Sequence, residues 1–281
     1  MLIVRQKIST KTSFSLLVYK YDMILIKSPE EISIMKVGGG KLWTILQILL
    51  SQAKAGVSLT TIEKNARNSI QKAGGVPSFM TVKGYQWATC LCLNEQVVHG
   101  IPSAYILQEG DVLTIDVGME YKGLHTDTAW TKIIQNSKFK IQNQEYKQKL
   151  RFLKTGEEVL KKAIGVAKAG NRVGHISQII EQTITSFGYD VVQSLTGHGV
   201  GKKLHEEPMI PEYLDKPIEK TPLLTPGMTL AIEVIYAMGK GAIVYPNQDG
   251  WTLAAKDRSL TAVFEKTIAI EESETFVLTG S

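Results

Sequence analysis

The first half of the sequence recurs in the second half, and this internal duplication restricts the chain to folds built from two like units. The tetrapeptide Ala-Lys-Ala-Gly stands at residues 53–56 and again at residues 167–170. The segment 107–117 also aligns without gaps on the segment 224–234. Because the two separations, 114 and 117 residues, are nearly equal, we expect two related halves arranged about a pseudo-twofold axis.

Each copy combines helices with strands. A pattern of helical spacing follows each Ala-Lys-Ala-Gly segment and ends near a glycine, Gly74 or Gly188. The residues after Gly110 and Gly227 alternate between apolar and polar side chains, which is typical of strands. Helices and antiparallel strands in both halves indicate an α+β fold. The predicted elements are helices after Ser28 and at about 59–73, 149–168 and 174–187, and strands at about 79–133 and in the second half.

The first helix has a defined start and a glycine-rich interior. Ser28 and Glu31 form the pattern of a capping box, and Pro29 suits the first helical position. The glycines at 38–40 are costly inside a helix, so we expect the helix to kink there or to lie close against a neighbour. The polar stretch 135–148 predicts a solvated loop or the start of the next helix.

The 281 residues divide into a short extension and one larger domain. The first 22 residues contain four basic side chains and no acid before Asp22, but they lack the long apolar region and cleavage site of a secretory signal. Met23 begins a segment that reads as folded protein. We therefore expect a dispensable extension at 1–22 and a single catalytic domain at 23–281, with halves at about 23–134 and 149–281.

Composition excludes several classes of protein. Lys and Arg number 32 against 27 for Asp and Glu, a mild excess without an aromatic-interleaved basic stripe, so we expect no specific nucleic-acid partner. The apolar runs are too short for the roughly 20 residues of a membrane span. Two cysteines, Cys90 and Cys92, cannot build a disulfide scaffold and favour a reducing, cytoplasmic compartment. A monomer is the default expectation.

Acidic residues recur at matching positions in the two strand-forming segments. Asp116 and Asp127 flank the turn signal Lys122-Gly123, and a tight hairpin there brings them together, either opposite or diagonal. Glu233 occupies the register of Asp116 in the second copy. Because buried carboxylates need a shared proton or a cation, this group predicts a polar site in the core.

One histidine context points to a ligand. His198 lies between glycines in Gly197–Gly201, which let backbone and ligand come close. We interpret His125 and His175 as satisfied or surface residues. Several carboxylates and one imidazole describe a site for Mn, Fe, Co or Zn. Carboxylates can also bridge two ions about 3.5–4 Å apart, as in metal-assisted hydrolysis.

Taken together, the motifs resemble the type I methionine aminopeptidases. The matching segments, in order along residues 23–281, are Asn94–Pro102, Ile115–Val117, Asp127–Thr128, Gly197–Gly201, His205–Pro208, Ile232–Glu233 and Lys256–Glu265. That family has the pita-bread fold, whose two related halves agree with the duplication. The resemblance implies an enzyme that removes the initiator methionine from nascent proteins when the second residue is small.

The resemblance also implies the roles of single residues. The implied ligands of two divalent ions (Co, Mn, Fe or Zn) are Asp116, Asp127, His198, Glu233 and Glu265, of which Asp127 and Glu265 bridge. His99 and His205 would contact substrate, while the implied lining of the methionine pocket is Tyr85, Cys90, Leu204 and Trp251. In the implied mechanism metal hydroxide attacks the first peptide bond. Glu233 transfers the proton, His205 stabilises the tetrahedral intermediate and His99 holds the scissile nitrogen.

This chain departs from the family pattern at several positions, and two other functions stay open. Val234 and Ile235 stand where Pro-Met is usual, Lys266 where His is common, and Leu204 where an aromatic residue is frequent. X-Pro aminopeptidases and prolidases share the ligand scheme but usually carry a large additional N-terminal domain. A non-catalytic binder of RNA or nascent chains would use the Lys-rich region 132–154, which also suggests weak ribosome association.

Overall fold

The computed structural model describes residues 23–135 and 144–280, so the predicted extension 1–22 lies outside the described residues. The helices are α1 Pro29–Gln52, α2 Leu59–Lys72, α3 Gln144–Val166 and α4 Val173–Ser186, with short 3-10 turns at Phe79–Thr81 and Ile218–Lys220. The strands are β1 Val76–Pro77, β2 Thr89–Leu93, β3 Gln96–Val98, β4 Val112–Tyr121, β5 Leu124–Ile133, β6 Asp190–Val191, β7 Thr196–Gly199, β8 Glu206–Pro211, β9 Thr229–Ala237, β10 Ile243–Val244, β11 Leu253–Ala255, β12 Thr261–Ile270 and β13 Thr275–Val277. The fold is α+β, as predicted.

The duplicated segments adopt the same structure in both halves. Helices α2 and α4 each have 14 residues, and each follows a glycine of positive φ, +90° at Gly56 and +88° at Gly170. The amide of Gly56 donates to Leu107 O at 2.8 Å, and the amide of Gly170 donates to Leu224 O at 3.0 Å. The predicted relation between the halves is therefore present in backbone conformation and in hydrogen bonding.

Helix α1 has the predicted capping box, in which Ser28 Oγ accepts from the amide of Glu31 at 3.2 Å and a Glu31 carboxylate oxygen accepts from the amide of Ser28 at 2.9 Å. Its glycines serve close packing, because a Cβ on Gly39 would lie 2.4 Å from the backbone oxygen of Leu278. Helix α3 is described from Gln144 onward, so residues 144–148 of the polar stretch 135–148 are helical.

The strands form antiparallel sheets with the helices packed against them. One sheet has the order β1-β4-β2, with β5 also paired to β4, and the larger sheet has the order β13-β12-β9-β7-β8, with β6 paired to β9. A small third sheet has the order β10-β11-β3. Helices α1 and α2 form one apolar core with β2 and β4, while α3 and α4 form another with β9 and β12.

Strands β5 and β12 lie side by side where the two halves meet. All ten residues of β12 and all nine of β9 are buried, so these strands are covered on both faces. The faces turned away from the helices enclose the polar side chains described below. None of the helices within residues 23–135 and 144–280 combines the length and the hydrophobicity of a membrane span.

Candidate metal centre

The hairpin of β4 and β5 determines how the first two acids meet. Lys122 and Gly123, with φ of 52° and 82°, form its two-residue turn, which has the positive φ at both positions that hairpins favour. Asp116 pairs with Ala129, and Asp127 pairs with Gly118. The two acids are therefore diagonal neighbours, which decides between the two arrangements left open by the sequence.

In the second half the acids are directly opposite. Glu233 on β9 pairs with Glu265 on β12, and His198 on β7 pairs with Ala231, two residues before Glu233. Like charges placed opposite each other on antiparallel strands are destabilising. This pairing therefore requires protons or a cation between the two carboxylates.

All five implied ligands line one cavity. One ligand atom from each of Asp127, His198 and Glu265 lies within 4.8 Å of the other two. The Nε2 atom of His198 lies 3.6 Å from a carboxylate oxygen of Glu233. Side chains from both halves, separated by up to 149 positions between Asp116 and Glu265, thus converge on one cavity.

The imidazole of His198 is oriented for binding a cation. Its Nδ1 atom lies 2.8 Å from the backbone oxygen of Gly199, so Nδ1 carries the proton of that hydrogen bond. The lone pair of Nε2 then faces the carboxylates, and burial lowers the pKa of His198 to about 4. A neutral imidazole fixed by a carbonyl in this way is the usual form of a metal-binding histidine.

The carboxylates have three properties of a cation site: they are buried, they carry like charge, and some of their oxygens have no hydrogen-bond donor. Burial, and then repulsion from the other acids, raises the pKa of Asp116, Glu233 and Glu265 well above the usual range. Burial also raises the pKa of Asp127 to about 7. Asp116 Oδ1 and Glu265 Oε1 are buried without a hydrogen-bond partner. Divalent cations coordinated by carboxylate and imidazole would satisfy these oxygens and remove the repulsion.

An apolar pocket forms another wall of this cavity. Tyr85, Cys90 and Trp251 line it as implied, together with Phe79 and Val82, which the sequence had not indicated. The rings of Tyr85 and Trp251 meet edge to face with centroids 5.1 Å apart, and Tyr85 donates to the backbone oxygen of Thr89 at 2.9 Å. Leu204 packs in the same apolar cluster but does not line the cavity. Cys90 pairs directly with Asp116, so the pocket adjoins the acids.

The two implied substrate histidines stand at the same cavity. Burial lowers the pKa of His99 to about 4, and burial together with His198 lowers the pKa of His205 still further. Both imidazoles are therefore neutral near pH 7. The rings of His198 and His205 have centroids 4.4 Å apart, and the ring of His99 lies 6.5 Å from Trp251.

The other histidines have partners away from the cavity, as interpreted from the sequence. His125 Nδ1 lies 2.8 Å from Ser78 Oγ, and His175 Nδ1 accepts from the backbone amide of Arg172 at 3.0 Å. Glu212 was not predicted from the sequence. It is a fully buried carboxyl that accepts from the amide of Ile235 at 3.0 Å and contributes to the raised pKa of Glu233.

The two-halved fold and the carboxylate–imidazole cluster conform to a known class of hydrolase. The family model of metallopeptidase family M24 matches residues 44–272. The chain therefore belongs to metallopeptidase family M24.

Over most of its length the chain is similar to methionine aminopeptidases. Methionine aminopeptidase 1 of Bacillus subtilis (strain 168) is 37% identical over 257 residues, covering 92% of this chain and 99% of that protein. The crystal structure of methionine aminopeptidase from Thermotoga maritima matches with a TM-score of 0.85 at 36% identity, covering 92% of this chain and 100% of that one. The prolidase of Pyrococcus furiosus matches with a TM-score of 0.70 at 20% identity, covering 92% of this chain and 66% of that one, and so shares the fold alone.

Proposed function

We propose that this protein is an aminopeptidase that removes the initiator methionine from new proteins whose second residue is small. The observation that carries the proposal is the junction of an apolar pocket with the buried acids, because Tyr85, Cys90 and Trp251 line the same cavity as Asp116 and Glu233. Aromatic rings beside a neutral thiol suit the flexible, polarisable side chain of methionine. With that side chain in the pocket, the first peptide bond lies over the acids.

Two divalent ions, Co, Mn, Fe or Zn, are the proposed cofactors. The residues that would hold them are Asp116, Asp127, His198, Glu233 and Glu265, of which Asp127 and Glu265 would serve both ions. Support comes from the four carboxylates and one imidazole that line a single cavity and from the unpartnered oxygens of Asp116 and Glu265. Such ions lower the pKa of bound water from 15.7 to about 7 and so make a nucleophile available at neutral pH.

Three side chains are proposed to move protons and orient the substrate. Glu233 takes a proton from the attacking water and delivers it to the leaving amine. His205, neutral at pH 7, donates a hydrogen bond to the carbonyl oxygen as negative charge develops there. His99 holds the scissile amide nitrogen. These roles agree with the positions of all three residues on the cavity wall.

Peptide cleavage tests this function directly. The purified protein is incubated with a Met-Ala-Ser peptide and with an X-Pro peptide, each with added Mn(II) and each with a chelator. Release of free methionine from the first peptide, abolished by the chelator, is the expected result. Cleavage of the X-Pro peptide alone would assign a prolidase-type reaction to the site. Absence of cleavage of both peptides with metal bound would overturn the proposal.

The proposed substrate also implies a location and a partner. Initiator methionine is removed as chains are made, so we place the protein in the cytoplasm, acting as a monomer with weak attachment to the ribosome. Lys138 and Lys140 of the basic region lie outside the described residues, while Lys147 is exposed on α3. Lys149 is bonded to Gly110 O and to Glu145, each at 2.8 Å.

A charge reversal tests the ribosome contact, and light scattering tests the monomer. Replacing Lys147 by Glu is expected to reduce co-sedimentation with ribosomes, whereas replacing Lys149 by Glu has a smaller effect because that side chain is already paired. Unchanged co-sedimentation with both substitutions would show that this region does not contact the ribosome.

A further inference from the structure

Threonine hydroxyls join strands β5 and β12 at the boundary between the halves. Thr267 Oγ1 donates to the backbone oxygen of Asp127 at 2.7 Å and accepts from its amide at 2.9 Å. Thr131 Oγ1 donates to the backbone oxygen of Val263 at 2.8 Å and accepts from its amide at 3.0 Å. A single buried hydroxyl thus satisfies both backbone polar groups of a residue on the other strand.

These two contacts are equivalent under the pseudo-twofold relation. Thr131 follows Asp127 by four residues on β5, and Thr267 follows Val263 by four residues on β12. The contacts differ in what they hold. Thr267 holds a residue whose carboxylate belongs to the acid cluster, whereas Thr131 holds an apolar residue, so the molecule contains its own matched comparison.

A third threonine hydroxyl, that of Thr128, contacts the backbone of Glu265. Thr128 Oγ1 donates to the backbone oxygen of Glu265 at 2.9 Å, and the amide of Thr128 donates to Asp127 Oδ1 at 3.0 Å. Thr128 and Thr267 are both fully buried. The backbones of Asp127 and Glu265, one from each half, are therefore each held by a hydroxyl from the opposite strand.

We propose that Thr267, assisted by Thr128, is a positioning residue for the metal centre, which sets the relative placement of the Asp127 and Glu265 carboxylates across the boundary. This inference rests on the proposed function, in which both acids are shared metal ligands. A ligand that serves two ions must be placed correctly toward each of them. A small displacement of β5 against β12 therefore weakens the binding of both ions. Loss of the Thr267 hydroxyl leaves the amide and the carbonyl of Asp127 unsatisfied in the core, and the strand must shift to satisfy them.

Manganese binding to matched valine variants tests this role. Thr267→Val and Thr131→Val each remove the hydroxyl that joins the two strands at nearly constant side-chain size, and Thr131→Val also removes a 2.8 Å contact with Thr114 Oγ1. The dissociation constant for Mn(II) is measured by titration calorimetry on each metal-free protein. We expect Thr267→Val to bind Mn(II) roughly 10- to 100-fold more weakly, the range for partners that orient metal ligands. Thr131→Val is expected to bind as the unsubstituted protein does, although both variants melt at lower temperature without metal. Thr267→Ser, which keeps the hydroxyl, is expected to restore binding.

The outcomes separate this inference from the function on which it rests. Mn(II) binding to Thr267→Val that equals binding to the unsubstituted protein would overturn the positioning role, and so would an equal loss in Thr131→Val. If Thr267→Val does not fold, Thr128→Val takes its place, and unchanged Mn(II) binding by that variant would overturn the role. A complete lack of Mn(II) binding by the unsubstituted protein would instead refute the proposed metal centre itself.

Discussion

Lys27 and Glu206, 179 positions apart in the sequence, form a buried ion pair. Lys27 is only 3% exposed and also donates to the backbone oxygen of Leu25 at 3.1 Å. Glu206 accepts in addition from the amide of Lys203 at 2.9 Å. Because Glu206 directly follows His205, the pair fastens the start of the described chain to the segment that carries a proposed substrate contact.

Removing one partner of this pair is expected to destabilise the fold strongly. Lys27→Met leaves the Glu206 carboxylate buried without its cation, which costs roughly 3–5 kcal/mol. The double variant Lys27→Met with Glu206→Gln should lose less than the sum of the two single losses, because each substitution removes the same interaction. Urea unfolding of the four proteins measures this coupling, and strictly additive losses would contradict it.

Truncation should reveal where the required part of the chain begins. Met23 is 82% exposed, whereas Lys27 is buried in the ion pair. A protein starting at Met23 is expected to keep its activity and melting temperature, and one that also lacks residues up to Lys27 is expected to lose both. Methionine release and thermal unfolding of both proteins are the measurements, and lost activity in the shorter truncation would show that residues 1–22 are needed.

Glu233→Gln is expected to abolish turnover while leaving the protein folded. Glutamine keeps the shape of the side chain but cannot accept the proton, a transfer that contributes typically about 10²–10⁴-fold to rate. Methionine release measured beside circular dichroism distinguishes a catalytic defect from unfolding. Activity near that of the unsubstituted protein would remove Glu233 from the mechanism.

Metal binding should stabilise the protein more at higher pH. In the metal-free protein burial raises the pKa of Glu233 and raises that of Asp127 to about 7. The same carboxyls have a pKa of about 4 in the unfolded chain, so the folded protein loses stability as the pH rises from about 4 through the raised pKa values of the folded state. Metals bind the deprotonated carboxylates, so the increase in melting temperature on adding Mn(II) should be larger at about pH 8 than at about pH 6. An increase independent of pH would contradict carboxylate ligation.

The glycines of α1 provide a matched pair for a stability test. A Cβ at Gly39 would lie 2.4 Å from Leu278 O, whereas nothing lies within 4 Å of a Cβ at Gly40. Gly39→Ala should cost about 1–3 kcal/mol through overpacking against backbone. Gly40→Ala should instead stabilise by about 0.5–1 kcal/mol, because alanine is the better helix former. Equal effects in chemical denaturation would contradict this packing.

Local signals explain why the elements could be predicted from the sequence. The capping box at Ser28 and the glycines after α2 and α4 mark helix ends through contacts within a few residues. Helix α3 already includes residues 144–148, ahead of the predicted start near 149. The duplication predicted the two halves because a repeated pattern of burial requires a repeated structure.

The site could be predicted from the sequence only in part, because local signals reveal residue types but not contacts between distant residues. Acids in strands and a histidine between glycines identify a candidate centre, but pairings such as Glu233 with Glu265 depend on contacts distant in sequence. Glu212 and Lys27 are charged residues that look like surface positions until the fold buries them. Lys266, a departure from the family pattern, points away from the cavity, where its ammonium lies over the ring of Trp43 and donates to Thr279.

Because the acids lie on the boundary between the halves, the protein can hydrolyse peptides only when both halves are folded. Asp116 and Asp127 come from one half, and His198, Glu233 and Glu265 come from the other. A nascent or partly melted chain in which only one half is formed has too few of the proposed ligands for the centre and only part of the proposed pocket wall. A peptidase built in this way cannot cut neighbouring chains, or itself, before its own folding is finished.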